Sequence, residues 1–524
     1  MAMQGKKAHT RAVADRSIKK WLYPCLNFIS LSLSSACLFV CSTKFFCLHL
    51  ACNHTFFTLI FLFIHPHIKM VGLNVSSDTW SSNPFTTLVQ DQKIVVIPSF
   101  TLESGDVLRD VPVAYKTWGN LNAQRSNCMV ICHALTGSSD VADWWGPLLG
   151  SGRAFDTSQF FVVCCNVLGS PYGTASPLTI NPDTGTPYGP DFPLTSIRDD
   201  VRLHRQVLDI LGVEQVAICI GGSLGGMQCL EWGMFGAEYV RVIVPIATCG
   251  KHSAWGISWG EAQRQAIYSD PNYCDGHYTA EKKPEHGLSA ARMSALLTYR
   301  SRDSFESRFG RKMMTSGRVK VYTSKNLDGG DVNGNDAESS ETSDIEQQQE
   351  QGQTSSGSSD RVSSPKCGND DRSSSSIFSA QSYLRYQGEK FTKRFDANCY
   401  IAITRKMDMH DLGFGRESYI SALKQVQQPA LVVGIESDGL FTINEQYELA
   451  EHIPKAQMAT IDSPDGHDGF LLEFSQLNRL IRSFVRDQLP EYASTEDADV
   501  NAPSEFVPQK SSVFGEAEVD VMQW

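Results

Sequence analysis

Short runs rich in apolar residues recur along the chain at 94–97, 112–117, 128–133, 160–167, 216–220 and 240–246, and again at 429–435 and 458–461. Several are unbroken, as parallel strands covered on both faces require. Between the fourth and fifth runs, Ile197, Val201, Val207, Leu208 and Leu211 fall at helical spacing. Ser196 followed by Asp199 gives that helix a capping signature, and Gly212 gives it a stop. Strands alternating with helices in this way predict an α/β domain built on a doubly wound parallel sheet.

The rhythm breaks between 252 and 395, where 290–299 and 380–395 have helical spacing. A helical lid inserted into the α/β core accounts for the break, with the core divided into 84–251 and 396–489. Within the insertion, 324–379 contains Asn-Gly-Asn, Gln-Gln-Gln-Glu-Gln and Ser-Ser-Ser-Ser with few apolar residues. Burial there is too small to offset the entropy of ordering, and disorder is expected. The helical run 471–489 closes the core, and the acidic end 490–524 is expected to be a loose tail. Residues 1–69 read differently from the rest: a basic start is followed by apolar 26–40 and 55–64. Each run is short of the roughly 20 residues a spanning helix needs, so a membrane is not an expected partner. Two readings remain, an upstream segment preceding a true initiator at Met70, or an anchor or targeting segment.

With 524 residues and 41% hydrophobic content, the chain is long and apolar enough to bury a large core. A formal net charge of -12 and the lack of a basic block argue against nucleic acid as a partner. Of the 15 cysteines, five lie within the first 52 residues and none forms a CxxC pair. They read as small buried hydrophobes of a reducing, cytoplasmic protein. The histidines lack metal-ligand spacing, and no metal is expected.

The densest chemistry lies at Gly221-Gly222-Ser223-Leu224-Gly225, after the apolar run 216–220 and before a helix-compatible stretch. This is the strand-turn-helix context of a nucleophile elbow, and it points to an α/β-hydrolase fold with Ser223 as nucleophile. A serine needs a base, and the base needs an orienting carboxylate, in the chain order Ser, acid, His. Asp438, beyond 431–435, is expected to orient, and His467, beyond Ile461, to act as general base; Glu436 competes for the acid role. Backbone N–H groups of Leu224 and of Leu135, in the loop after 128–131, are expected to stabilise the oxyanion, each by about 3 kcal/mol. These features describe an esterase equally well.

Taken together, His133-Ala-Leu-Thr-Gly137, Asp143-Trp-Trp-Gly-Pro147, Gly169-Ser-Pro-Tyr-Gly173, Gly221-Gly-Ser-Leu-Gly-Gly-Met227 and Gly466-His-Asp468 resemble the homoserine O-acetyltransferases, most of all the fungal ones. The likeness runs from about 84 to 488, with the polar stretch as an insertion, and leaves out 1–69. It implies acetyl transfer from acetyl-CoA, as co-substrate rather than bound cofactor, to the hydroxyl of L-homoserine for methionine synthesis. It further implies that Arg292 binds the substrate carboxylate, that Tyr299 contacts the substrate, that Asp468 meets its ammonium, and that the lid can serve a homodimer. The same superfamily contains rivals: an O-acyltransferase acting on serine or deacetylcephalosporin, a succinyl donor in place of acetyl, or a carboxylesterase.

Overall fold

The computed structural model of the chain describes residues 83–314, 377–502 and 506; residues 1–69 and the expected disordered stretch, apart from 377–379, lie outside the described residues. Among the described residues there are ten strands: β1 (Lys93–Thr101), β2 (Val107–Trp118), β3 (Cys128–Cys132), β4 (Phe161–Cys165), β5 (Val216–Gly222), β6 (Val240–Ile246), β7 (Met313–Met314), β8 (Ile377–Phe378), β9 (Ala430–Ile435) and β10 (Ala456–Ile461). Eight form one sheet in the order β1-β2-β4-β3-β5-β6-β9-β10, and β7 and β8 make a separate two-stranded ribbon.

From β4 to β10 the neighbours run parallel, but β2 is antiparallel to both β1 and β4. The sheet is therefore mixed rather than parallel throughout. The cause is local: a tight turn at 102–106, closed by the Leu102 N–H donating to the Asp106 carbonyl at 2.8 Å, reverses the chain without a crossover helix. The central strands β3, β5 and β9 are buried at every position, which explains their unbroken apolar sequence.

Helices cover both faces. On one side α2 (Ile197–Leu211) and α3 (Leu224–Gly233) pack Val207 and Trp232 against Cys128, Val130 and Cys132 of β3. On the other, α1 (Val141–Trp145) and α12 (Phe474–Gln488) pack Trp145, Leu477 and Ile481 against Met129 and Ile131. The alternation along β3 is the period-two pattern of a strand between two layers. The capping box read from Ser196 and Asp199 is formed in both directions, each bond 3.0 Å, and Gly212 ends α2 at φ 82°.

Among the described residues six α-helices lie between β6 and β9, the first five being α4 (Ala254–Tyr268), α5 (Glu285–Tyr299), α6 (Arg302–Arg308), α7 (Ser379–Thr392) and α8 (Ala397–Asp408). They are followed by α9 (Tyr419–Gln425), and α10 (Ile443–His452) and the short α11 (Gly469–Leu472) complete the set. A fully buried ion pair ties the inserted helices to the core: Lys406 Nζ on α8 lies 2.7 Å from Asp200 Oδ2 on α2 and donates to the Leu168 carbonyl at 2.7 Å. The acidic end is less loose than its composition suggests. Arg153 donates to the carbonyls of Asp499 and Ala502 at 3.2 and 2.9 Å, docking the segment up to 502 on the core. Among the described residues no helix is long and apolar enough to cross a membrane.

Candidate active site

Ser223 sits between the end of β5 and the first turn of α3 with φ 58° and ψ -124°. A non-glycine residue at such an angle costs on the order of 1–3 kcal/mol and persists only where the surroundings hold it. Here the Ser223 N–H donates to the Ile246 carbonyl at 3.0 Å, and the Thr248 hydroxyl donates to the Ser223 carbonyl at 2.8 Å. Glycine at 221 and 225 is a steric requirement of the turn. A Cβ at 225 would stand 2.1 Å from the Cys132 carbonyl oxygen, and one at 221 would stand 2.5 Å from the backbone of Gly225.

Asp438 follows β9 and His467 follows β10, so both arrive at the carboxyl ends of the parallel strands, as Ser223 does after β5. His467 Nδ1 is 2.7 Å from Asp438 Oδ2, while Asp438 Oδ1 accepts the N–H groups of Leu440 and Phe441 at 2.8 and 2.9 Å. The carboxylate is thus fixed before it meets the ring. Phe441, Phe470 and Tyr299 surround the imidazole, with ring centroids at 5.1, 5.3 and 6.1 Å. Burial alone would lower the pKa of His467, but the charge and hydrogen bond of Asp438, with Asp468 and Glu445 adding to them, raise it. Glu436, the competing acid, instead accepts from Tyr447 at 3.4 Å at an exposed position.

A cavity opens onto these groups, and its walls include Leu135, Ser223, Tyr299, His467 and Asp468 together with Trp259, Gln263, Met407 and Asp408 of the inserted helices. The other three expected residues stand outside that wall. Asp438 lies on the far side of His467 Nδ1, and Leu224 heads α3. Arg292 is buried on α5 with its guanidinium 5.5 Å from the Tyr299 ring centroid and 5.0 Å from that of Phe391. Arg264 on α4 is committed to structure: it pairs with Asp408 at 2.6 Å and Glu261 at 2.9 Å. His133 is likewise structural, its Nε2 accepting the Val167 N–H at 3.1 Å. Trp145 donates its ring N–H to the Phe470 carbonyl at 2.9 Å, beneath the His467 loop.

Three groups near the site were not foreseen. Arg300, at the end of α5, lies 2.7 Å from Asp468 Oδ2 and 3.0 Å from Asp465 Oδ1. Glu445, on α10, is held up to about 7 by burial and by the Asp438 charge. None of the three belongs to a local motif; an acid two positions before a histidine, as at Asp465, is the faint signal that was available. Among the described residues the thiols close enough to share a metal are Cys132, Cys219 and Cys229, and these belong to the apolar core around α3, not to the cavity.

A family model described as the alpha/beta hydrolase fold matches residues 127–474. The chain is 53% identical over 480 residues to a homoserine O-acetyltransferase of Emericella nidulans, covering 85% of this chain and 97% of that protein. The chain belongs to the homoserine O-acetyltransferase family. Likeness of fold would not have decided this. A homoserine O-acetyltransferase from Bacillus anthracis superposes with a TM-score of 0.60 at 21% identity, over 78% of this chain and 99% of that one. Esterase E22 superposes equally well, with a TM-score of 0.60 at 24% identity, over 75% of this chain and 99% of its own. Family membership therefore rests on sequence identity over most of the chain.

Proposed function

We propose that this protein transfers the acetyl group of acetyl-CoA to the side-chain hydroxyl of L-homoserine, forming O-acetylhomoserine for methionine synthesis. The observation that carries this reading is the near-full-length identity with the Emericella nidulans protein. The route is ping-pong. Ser223 Oγ attacks the thioester carbonyl as His467 takes its proton; the charge that develops on the carbonyl oxygen is met by the Leu135 and Leu224 amides. CoA leaves with the proton held by His467. The homoserine hydroxyl then gives its proton to His467 and attacks the acetyl-serine, and Ser223 is restored. Asp438, bonded to Nδ1, fixes the tautomer that leaves Nε2 free to accept.

Transfer must outrun hydrolysis, so the acceptor has to be held and water kept out. The inserted helices serve as the lid over the cavity. The family resemblance assigns the substrate carboxylate to Arg292, whose planar fork suits it and whose guanidinium stands behind Tyr299 rather than in the cavity wall; Tyr299 packs on the bound amino acid, and Asp468 takes its ammonium. Serine, histidine and carboxylate supply every proton transfer in this scheme, so no metal or bound cofactor is called for. The nine described cysteines are free and all but Cys274 are buried, which suits the reducing cytoplasm. The family resemblance puts a homodimer contact on the lid, where Leu297 of α5 and Tyr386 of α7 are exposed.

The deciding assay supplies the purified protein with acetyl-CoA and either L-homoserine, L-serine or no amino acid, and follows free CoA. Sustained release is expected with homoserine alone. Release at the same steady rate without an amino acid would make the protein an esterase or thioesterase; a preference for serine would move it to the related acyltransferases.

A further inference from the structure

The loop that carries His467 is fastened to the end of α5 as well as to the sheet. Arg300, whose side chain is 3% exposed, reaches Asp465 Oδ1 with Nη1 at 3.0 Å and Asp468 Oδ2 with Nε at 2.7 Å. Those two carboxylates flank Gly466 and His467, so one planar guanidinium spans the base. Its neighbours add to the joint. The Ser301 hydroxyl donates to the Pro464 carbonyl, and the Ser304 hydroxyl and Arg308 Nη2 donate to Asp465 Oδ1 at 2.5 and 2.9 Å. Gly466, at φ 68°, lets the two backbones touch: a Cβ there would stand 2.6 Å from the Ser301 nitrogen and 3.0 Å from the Tyr299 carbonyl oxygen.

We propose that Arg300 is a positioning residue for both half-reactions, holding the His467 loop against α5 by bridging Asp465 and Asp468. The inference rests on the proposed roles of His467 as base and Asp468 as ammonium partner. It adds a reason why an acyltransferase places its acceptor-binding residues on α5: the helix that holds Arg292 and Tyr299 also sets the base, so substrate position and base position share one rigid element. A planar guanidinium suits this task better than an ammonium, because its separate N–H groups face two carboxylates at a set separation: Nη1 hydrogen-bonds Asp465 and Nε forms an ion pair with Asp468.

The charges around His467 give the test its sign. Asp438 follows β9, Glu445 comes from α10 and Asp468 from the loop itself, and all three favour the imidazolium. Tyr299 of α5 faces the ring, and Tyr383 of α7 interacts with both Asp468 and Arg300. Arg300 is the cation set against Asp468, so removing it leaves more negative charge uncompensated beside His467 and raises the pH at which the base is freed.

Full-length Arg300→Met and Arg300→Lys variants are compared with the wild type in two reactions that need no amino acid, the CoA burst from acetyl-CoA and hydrolysis of p-nitrophenyl acetate. Arg300→Met is expected to slow both by roughly tenfold through misplacement of the base. Its acid limb is expected to move up by about half a pH unit. Arg300→Lys, which restores charge without the fork, is expected to return the acid limb close to that of the wild type while the burst stays slow. A folded Arg300→Met with normal burst and unchanged acid limb, whether or not its homoserine KM rises, overturns the proposal. If Arg300→Met does not fold, a wild-type burst in Arg300→Lys overturns it instead. Because neither reaction uses the acceptor, an error in assigning homoserine would leave this result standing.

Discussion

The two walls of the active site are held by different forces. On the Ser223 wall, position comes from close packing: β5 is buried at every residue, glycines at 221 and 225 bring backbones together where any side chain would collide, and backbone hydrogen bonds pin the serine. On the α5 wall, position comes from charge, with Arg300, Arg308, Asp465 and Asp468 joined in a partly buried network. Packing of this kind is intolerant of change and independent of salt or pH, whereas ion pairs depend on both partners staying charged and on geometry. The nucleophile that carries the acyl group sits on the rigid wall, while the loop of its base is fastened to the charged one. The part that distinguishes an amino acid from water sits on the wall held by charge.

The sharpest break of this comparison is at the rigid wall. Ser223→Ala should lower turnover by roughly 10³-fold or more with the fold intact, as expected when a nucleophile is removed from a triad that acts as a unit. Both the burst and steady transfer should vanish together; a retained burst in rapid-mixing measurements of CoA release would place the acetyl group on another residue. At Arg292, on the α5 wall, the loss should be smaller and selective. Arg292→Ala should raise the homoserine KM by roughly 10- to 100-fold, the loss of about 1.5–3 kcal/mol from a charge-assisted contact. The burst should survive, because the carboxylate is met only in the second half-reaction. An abolished burst in a folded Arg292→Ala protein would show that Arg292 supports the cavity through its packing on Tyr299 and Phe391.

The same contrast explains what could be read from sequence. The packed wall is written locally: an apolar strand, glycines around a serine, a capping pair at Ser196 and Asp199 and a stop at Gly212 each occupy a few consecutive positions and carry their own geometry. The order Ser, acid, His then located Asp438 and His467 on loops after strands. The charged wall is not local. Arg300 meets Asp465 across 165 positions, and no spacing rule connects them. Arg292, Tyr299 and Asp468 were reached through resemblance to a family, not through their own pattern. The antiparallel β1 and β2 escaped notice for another reason: periodicity identifies a strand but not its direction, and the direction was set by the short turn at 102–106.

The smallest expected effect separates charge from packing within a single side chain. Glu445 stands near Asp438, outside the triad, and burial together with the Asp438 charge raises its carboxyl to about 7. An acid whose folded pKa lies above its unfolded value adds nothing to stability at high pH; the folded state holds a proton that the unfolded state has released, so stability falls as pH rises from the ordinary 4.5 through about 7. Glu445→Gln removes that liability while keeping the shape. The variant should melt at a higher temperature than the wild type at pH values above the Glu445 pKa, and at nearly the same temperature below the ordinary carboxyl range. Activity should shift in a linked way. Ionised Glu445 favours the His467 imidazolium, so removing its charge should move the acid limb of kcat/KM down by a fraction of a pH unit, opposite in sign to the shift expected of Arg300→Met. Thermal melts and pH–rate profiles on the same preparations check both halves. Equal melting shifts at all pH values would assign the effect to packing, and an unmoved acid limb would remove Glu445 from the electrostatics of the base.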